Sequence, residues 1–486
     1  MTAIATIGIV GAGAMGRGIA ELAARQGFAV RLSDARDGAA EAAIAAIDAA
    51  LRRDVGKGRL DAAGAGAIRG RLTATAVAET ARADLVVEAI VEDLPAKRAL
   101  FAAIEAVAAP TAILATNTSS LSVAEIGAGV TDAGRFAGLH FFNPPTRMRV
   151  VEIVRAPATT DATIATLEAV ADRLGQRAFV VDDTPGFLVN HLGRGYVGEA
   201  LRILDDGAAT PAALDAIATG ALGFRMGPCA LLDLVGLDVS AAATEEVWRG
   251  FGEEPRFRPA PIARARVAAG LLGRKSGRGF FAYGGDGKPL AADDDARADP
   301  AAIRLVGAAR GLAGLFPPAL VTDDPVAVPV VAPSGTDVAT AARREGLDPA
   351  TTVGIDPVFT DLVTVAAADP GLAAGVAAAI RAGGREAATV RDIGGLPAQR
   401  LAAMIVLIAS DAAGRRLAPP DEIDTATRLA LGYPRGPMAL GDAVGPARIA
   451  AIAAGLHALT GDPRWRPSPW LGARIAAGSR LAGDAN

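Results

Sequence analysis

The turn that most restricts this chain lies near its amino end. In IATIGIVGAGAMGRGIAELAARQGFAVRLSD, residues 4–34, an apolar β-rich run meets Gly11-Ala-Gly13-Ala-Met-Gly16 and passes at once into a helical pattern. That pattern stops at Gly27, and a second strand, FAVRLS, ends at Asp34. In a strand–turn–helix each glycine has a separate role. Gly11 allows the tight turn, Gly13 lets the backbone approach a pyrophosphate, and Gly16 lets helix and strand pack closely. The helix N-terminus offers unpaired N–H groups and the positive end of its dipole to an anion. Asp34, 18 residues after Gly16, is placed to accept hydrogen bonds from a ribose 2′-hydroxyl and to repel a 2′-phosphate, which favours NAD over NADP. FAD is held by the same fingerprint, so these residues alone leave a flavoprotein open.

The alternation continues. DLVVEAI, TAILAT, FAGLHFF, RVVEIV and AFVVDD read as strands, with LPAKRALFAAIEAVAAP and TDATIATLEAVADRLG as helices between them. This is the pattern of a doubly wound α/β domain, expected to end near residue 184.

Two polar residues interrupt apolar strands in that domain. His140 is the first of only three histidines, and Glu152 follows twelve residues later across the Pro-rich turn NPPTRM. A short hairpin would bring them together. A carboxylate inside VVEIV is costly unless paired, and an imidazole in reach would have its tautomer fixed while the other ring nitrogen stays free to take a proton. Upstream, the hydroxyl row TNTSSLS, residues 116–122, follows a parallel strand at the end that faces a ligand crevice. Ser122, with Glu125 three residues on, suits a helix N-cap. Ser119 is left for a substrate hydroxyl.

Composition excludes several classes. Net charge is −4 and no basic run occurs, so there is no footprint for nucleic acid. No stretch has the length of a membrane span or the layout of a signal peptide. The one cysteine, Cys229, cannot form an internal disulfide, and a cytoplasmic, reducing setting is expected. No metal site is expected.

Beyond residue 184 the chain turns helical and then repeats itself. Gly223, Gly227, Pro228, Asp233 and Gly236 return 209 residues later as Gly432, Gly436, Pro437, Asp442 and Gly445, and EPRFRPAP at 254–261 returns as DPRWRPSP at 462–469. Between the copies, residues 285–388 carry a linker, DGKPLAADDDARADP, and then short apolar runs that suggest a degenerate α/β segment. The repeat lacks a glycine fingerprint, and no histidine lies between His191 and His457. One dinucleotide site per chain is therefore expected. The full expectation is a Rossmann domain at 1–184, an all-α domain at 185–284, the linker and degenerate α/β segment at 285–388, and a duplicated all-α domain at 389–486.

GAGAMGRGIA, DLVVEAIVEDLPAKRALF, NTSSLSV, RFAGLHFFNP, VVEIV, DTPGFLVN and GRKSGRGFFAY together resemble the L-3-hydroxyacyl-CoA dehydrogenase family, almost continuously to about residue 284. The likeness is greatest to the long bacterial members of phenylacetate-type catabolism, which act on 3-hydroxyadipyl-CoA or 3-hydroxybutyryl-CoA. The resemblance implies His140 as catalytic base and Glu152 as its partner, with Ser119 at the substrate 3-oxygen and Asn190 positioning the thioester. It puts Glu92, Lys97, Asn117, Asn143 and Lys275 around the cofactor and substrate, and Lys57 at a CoA phosphate. NAD is the implied cofactor and an acyl-CoA the implied partner. Asn190 corresponds to Gln399 in the repeat. Shorter members dimerise through the helical domain, so this chain is expected to be a homodimer, or a monomer whose second helical copy takes the partner's place. Two other readings are weaker. A lysine-dependent β-hydroxyacid dehydrogenase does not use a His–Glu pair after NTSS, and a non-catalytic NAD-binding relative would not keep dyad, serine and asparagine intact. The acyl chain is not specified: Arg147 or Arg149 could hold a distal carboxylate, although solvated loop charges are the simpler reading.

Overall fold

The computed structural model describes residues 4–285 and 298–483. All but the last three residues of the linker DGKPLAADDDARADP lie outside them. The chain forms two compact units, Met1–Val189 and Asn190–Asn486.

The first unit alternates strand and helix. It runs β1 (Thr6–Val10), α1 (Ala14–Arg25), β2 (Ala29–Ser33), α2 (Ala39–Gly56), α3 (Ala62–Gly70), β3 (Leu72–Ala74), α4 (Val77–Thr80), β4 (Leu85–Glu88) and α5 (Leu94–Glu105). β5 (Ile113–Thr116), α6 (Val123–Gly127), β6 (Phe136–Phe141), β7 (Val150–Arg155), α7 (Asp161–Arg173) and β8 (Arg177–Asp182) follow. The eight strands lie in the order β3-β2-β1-β4-β5-β6-β7-β8. Every pairing is parallel except β6 with β7, which is antiparallel. β1, β4, β5 and β6 are buried almost throughout, which explains why they read as continuous apolar runs and not as alternating ones. The strand order reverses between β1 and β4, so the crevice outside their carboxyl ends is where this architecture takes ligands.

The second unit holds two helical sets around a smaller sheet. The first set is α8 (Val189–Asp205), α9 (Pro211–Gly220), α10 (Pro228–Val235), α11 (Leu237–Gly250) and α12 (Pro261–Ala268). The sheet segment contains β9 (Ile303–Leu305), β10 (Val328–Val331), α13 (Val338–Arg344), β11 (Val353–Ile355), β12 (Leu362–Ala367), α14 (Pro370–Ala382) and β13 (Glu386–Arg391). The second set is α15 (Pro397–Gly414), α16 (Pro420–Ala430), α17 (Pro437–Val444), α18 (Pro446–Thr460) and α19 (Pro469–Ala476).

The repeat is faithful in its local devices. Asp215 accepts the Cys229 and Ala230 N–H groups at the start of α10, and Asp424 accepts those of Met438 and Ala439 at the start of α17. A Cβ on Gly227 would lie 2.1 Å from the Asp215 carboxyl carbon, and one on Gly436 would lie 2.2 Å from that of Asp424. Glycine is therefore required at both places so that an aspartate can cap the next helix. Gly236 and Gly445 both hold positive φ, at 101° and 99°, where side chains are strained.

α15 is buried on all sides, and the two sets meet along α8 and α15. Gly195 lets the backbones approach, since a Cβ there would lie 3.0 Å from the Ile405 Cα. The contact also buries charge. Glu199 is wholly enclosed yet held as a carboxylate: burial would raise its pKa, but Arg400, Arg464 and Arg202 outweigh it. Arg400 and Arg464 reach it at 2.8 and 3.2 Å. In the opposite direction Arg256 donates to the carbonyls of Arg464 and Arg466, and Glu254 pairs with Arg466 at 2.6 Å. Each Pro-Arg-aromatic-Arg turn thus serves the other copy.

Among the described residues no single helix is long and apolar enough to cross a membrane. His191 lies fully enclosed against Phe251 and Phe257, and neither ring nitrogen has a hydrogen-bond partner among the described residues. Burial, and then the charges of Arg415, Arg256 and Arg194, pull its pKa down to about 3. In the unfolded chain it titrates near 6.5. The folded state therefore binds fewer protons than the unfolded one between these values, and stability falls as pH is lowered through that window. Wild type should lose about 2 kcal/mol more unfolding free energy than His191→Leu between roughly pH 7.5 and pH 5. Urea unfolding of both proteins at the two pH values checks it, and parallel losses would contradict it.

Candidate active site

Strand β1 ends in the glycine turn because no other residue fits there. Gly11 has φ 110°, and a Cβ on it would lie 2.4 Å from the Ala89 carbonyl oxygen. A Cβ on Gly16 would lie 1.8 Å from the Gly11 carbonyl oxygen. Gly13 differs: nothing lies within 4 Å of its Cβ position, and it begins α1 without a side-chain cap. Close packing thus fixes Gly11 and Gly16, while Gly13 presents open space and free N–H groups to an anion. At the end of β2 the Asp34 carboxylate accepts the Ala12 N–H at 2.8 Å and the Arg36 N–H at 3.0 Å. Burial would raise its pKa, but these N–H groups and the Arg36 guanidinium lower it. A charged carboxylate stands beside the turn, as recognition of a ribose diol requires. The donor set fits a dinucleotide.

The serine loop after β5 is shaped from below. Glu88, at the end of β4, is fully buried and receives Lys97 at 2.5 Å and the Thr116 hydroxyl at 2.6 Å. Lys97, itself 1% exposed, also reaches Glu92 at 3.2 Å. Burial would raise the pKa of Glu92, but the Lys97 charge and its hydrogen bonds lower it. One Glu92 oxygen accepts the Thr118 hydroxyl and the N–H groups of Ser119 and Ser120. The lysine expected beside the cofactor therefore works on the loop through Glu92. Ser119 is left exposed. Ser122 caps α6 as expected, accepting the Glu125 N–H, while Asp183 takes the Val123 and Ala124 N–H groups and the Ser122 hydroxyl.

His140 and Glu152 are directly opposite each other on the antiparallel pair β6 and β7. Nδ1 of His140 lies 2.7 Å from one Glu152 oxygen. The other oxygen accepts the N–H groups of Leu188 and Val189 at 3.0 and 2.8 Å. Both side chains are buried, His140 between Phe142 and Phe187. With Glu152 as an acceptor on Nδ1–H, Nε2 is left as the atom able to take a proton, and it has no partner among the described residues. Asn117 accepts the Phe141 N–H at 2.9 Å, tying the serine strand to the histidine strand.

The remaining expected residues fall elsewhere. Asn143 is exposed in the loop after β6. Lys57 closes α2, exposed and without a side-chain partner among the described residues. Asn190 and Lys275 belong to the second unit, where Lys275 pairs with Asp238 at 2.6 Å. Sequence reasoning passed over Glu88 and Asp183. Glu88 carries the same signal that exposed Glu152, an acid inside an apolar strand. Asp183 carries none, because its two N–H partners are 59 and 60 residues away.

Comparison with known proteins identifies the domains that carry these residues. The 3-hydroxyacyl-CoA dehydrogenase NAD-binding domain family matches residues 6–184. The C-terminal domain family of the same enzymes matches twice, at 186–283 and 395–483. The chain is 34% identical over 475 residues to the 3-hydroxyadipyl-CoA dehydrogenase of Escherichia coli (strain K12), covering 97% of each. It is 39% identical to the probable 3-hydroxybutyryl-CoA dehydrogenase of Bacillus subtilis (strain 168), over 58% of this chain and 98% of that one. A crystal structure described as 3-hydroxybutyryl-CoA dehydrogenase from Escherichia coli K12 superposes with a TM-score of 0.85 at 34% identity, covering 98% of this chain and 99% of its own.

If Asp34 reads the ribose, Asp34→Ala should narrow the preference for NAD over NADP by about tenfold or more. Specificity constants for the two cofactors measure this, and an unchanged ratio would remove Asp34 from the recognition site.

Proposed function

The chain belongs to the 3-hydroxyacyl-CoA dehydrogenase family, and from that premise we propose that His140 and Glu152 perform its NAD-dependent oxidation of an (S)-3-hydroxyacyl-CoA to the 3-ketoacyl-CoA. The observation that carries this reading is the in-register cross-strand pair, with Nδ1 held at 2.7 Å and Nε2 without a partner among the described residues. Bound NAD supplies the hydride acceptor for C3. His140 Nε2 receives the proton of the 3-hydroxyl, and Glu152 stabilises the imidazolium that results. Ser119 donates to the 3-oxygen from a loop whose backbone Glu92 holds in place. Asn190, immediately after Val189 in the chain, is assigned to the thioester by family likeness.

Of the two acyl groups, 3-hydroxyadipyl is favoured. Arg147 and Arg149 are exposed in the loop that leaves the histidine strand, and neither has an ion-pair partner among the described residues. One relative that spans nearly the whole chain carries that substrate's name, while a solved structure of equal span carries the name of a 3-hydroxybutyryl-CoA enzyme, so the two arginines carry the choice. A cytoplasmic setting suits the single buried thiol of Cys229. The second helical set, packed on α8, is assigned the place that a partner subunit's helices take in shorter relatives.

His140→Ala should remain folded and lose roughly 10²-fold or more in turnover, because the proton acceptor alone is removed. Glu152→Gln should lose less, though still substantially. Near wild-type turnover of a folded His140→Ala protein would refute the dyad. Initial rates of NADH oxidation with acetoacetyl-CoA, longer 3-ketoacyl-CoAs and 3-oxoadipyl-CoA test the acyl group. The highest kcat/KM is expected for 3-oxoadipyl-CoA, and equal or better use of acetoacetyl-CoA would reject the dicarboxylic reading.

A further inference from the structure

The small sheet of the second unit repeats part of the first. Its order, β13-β12-β11-β10-β9, has one antiparallel pairing, β11 with β12, as β8-β7-β6-β5-β4 has only β6 with β7. Asp392 accepts the Val338 and Ala339 N–H groups at the start of α13, as Asp183 does for Val123 and Ala124 at the start of α6. The half that carries the glycine turn, β1 to β3, has no counterpart among the described residues.

Register then locates the counterparts of the dyad. Glu152 pairs with Phe179, and Thr364 pairs with Ala388, 209 residues further on. Asp356 donates its N–H to the Thr364 carbonyl and lies opposite it, as His140 lies opposite Glu152. Ser334 precedes α13 by the spacing at which Ser119 precedes α6, and Gln399 stands for Asn190. This second centre is sealed. Asp356 is fully buried, and one of its oxygens accepts the Val358 and Phe359 N–H groups and the Gln399 amide. Its other oxygen and the Thr364 hydroxyl have no partner among the described residues. Burial pushes the Asp356 carboxyl up to about 6. Without base or glycine turn, it cannot oxidise an alcohol.

Outside the seal a space remains. Beyond the carboxyl end of β11, the loop hung on Asp356 meets α17, the first turn of α18 and the turn after α9 around a cavity of about 380 Å³. Phe359, Leu440 and Val444 give it an apolar wall. Arg435 and Arg448 open onto it, and neither makes a hydrogen bond or ion pair among the described residues. Asp361 is its one acidic residue, so the lining carries a net positive charge. Ligands of α/β sheets bind outside the carboxyl ends of the strands, and a few hundred Å³ is an ordinary volume for a small-molecule site.

We propose that this cavity is a second, non-catalytic binding site for a short-chain carboxylate, with the charged end on Arg435 and Arg448 and the chain on Phe359, Leu440 and Val444. A short free acid is the occupant because the two guanidiniums match one carboxylate and about 380 Å³ matches a short chain. Three separate chain segments line the cavity, so its occupant joins the two helical sets and the small sheet.

The test is calorimetric titration of the intact chain with adipate, with NAD and acetoacetyl-CoA, a pair that cannot react, saturating a His140→Ala background so that the catalytic site is filled. Binding is expected in that background, weakened about tenfold or more by Arg435→Gln with Arg448→Gln, while the same pair of substitutions in the wild-type chain leaves turnover unchanged. Val444→Trp, which fills the apolar end, should abolish binding and keeps the test independent of charge. No heat with adipate, or binding that survives both changes, overturns the proposal. Equal competition by inorganic phosphate overturns it in favour of a general anion surface.

Discussion

A single enclosed carboxylate organises the chemistry of the first unit. Glu152 has no exposed surface, so in the absence of partners its charge would be strongly unfavourable. Its two oxygens have separate partners. One takes the His140 ring, and the other takes the Leu188 and Val189 N–H groups at the end of the unit. The orientation of the imidazole and the exit of the chain are therefore set by one group. This is possible only because β7 runs against β6. A parallel neighbour would need a crossover, and residues twelve apart could not then stand opposite each other.

The parts of the fold that sequence exposed are those whose physics is local. Gly11 and Gly16 answer to atoms in the adjoining strand and turn, and His140 and Glu152 announce themselves as polar residues inside apolar strands. Lys97 shows the limit. The family resemblance puts it beside the cofactor, while the enclosure of its ammonium between two acids depends on how β4 and α5 meet. The repeat of the helical sets was legible because glycines and aspartates recur at fixed spacing. The correspondence of Asp356 with His140 was not, since no side-chain type survives and only strand register reveals it.

The two centres also show how differently a sheet can treat buried polar groups. At His140 and Glu152 the polar atoms meet, and the second ring nitrogen has no partner among the described residues. At Asp356 and Thr364 the same two backbone positions carry groups that do not meet, and the neighbouring loop has folded over them to supply N–H donors. The outer face of that loop lines the cavity.

The pairing of α8 with α15 has a consequence for how such a protein can change. When two identical subunits meet across a two-fold axis, every substitution arrives twice and must suit both sides. Here the two sides are separate stretches of one chain. His191 on α8 corresponds to Arg400 on α15 by the same offset of 209 residues: one is a neutral ring among aromatics, the other a charged clamp on Glu199. Because the partners are tethered, their association is also insensitive to dilution. With both sides on one chain, neither helical set has to mirror the other, and a substitution on one side need suit that side alone.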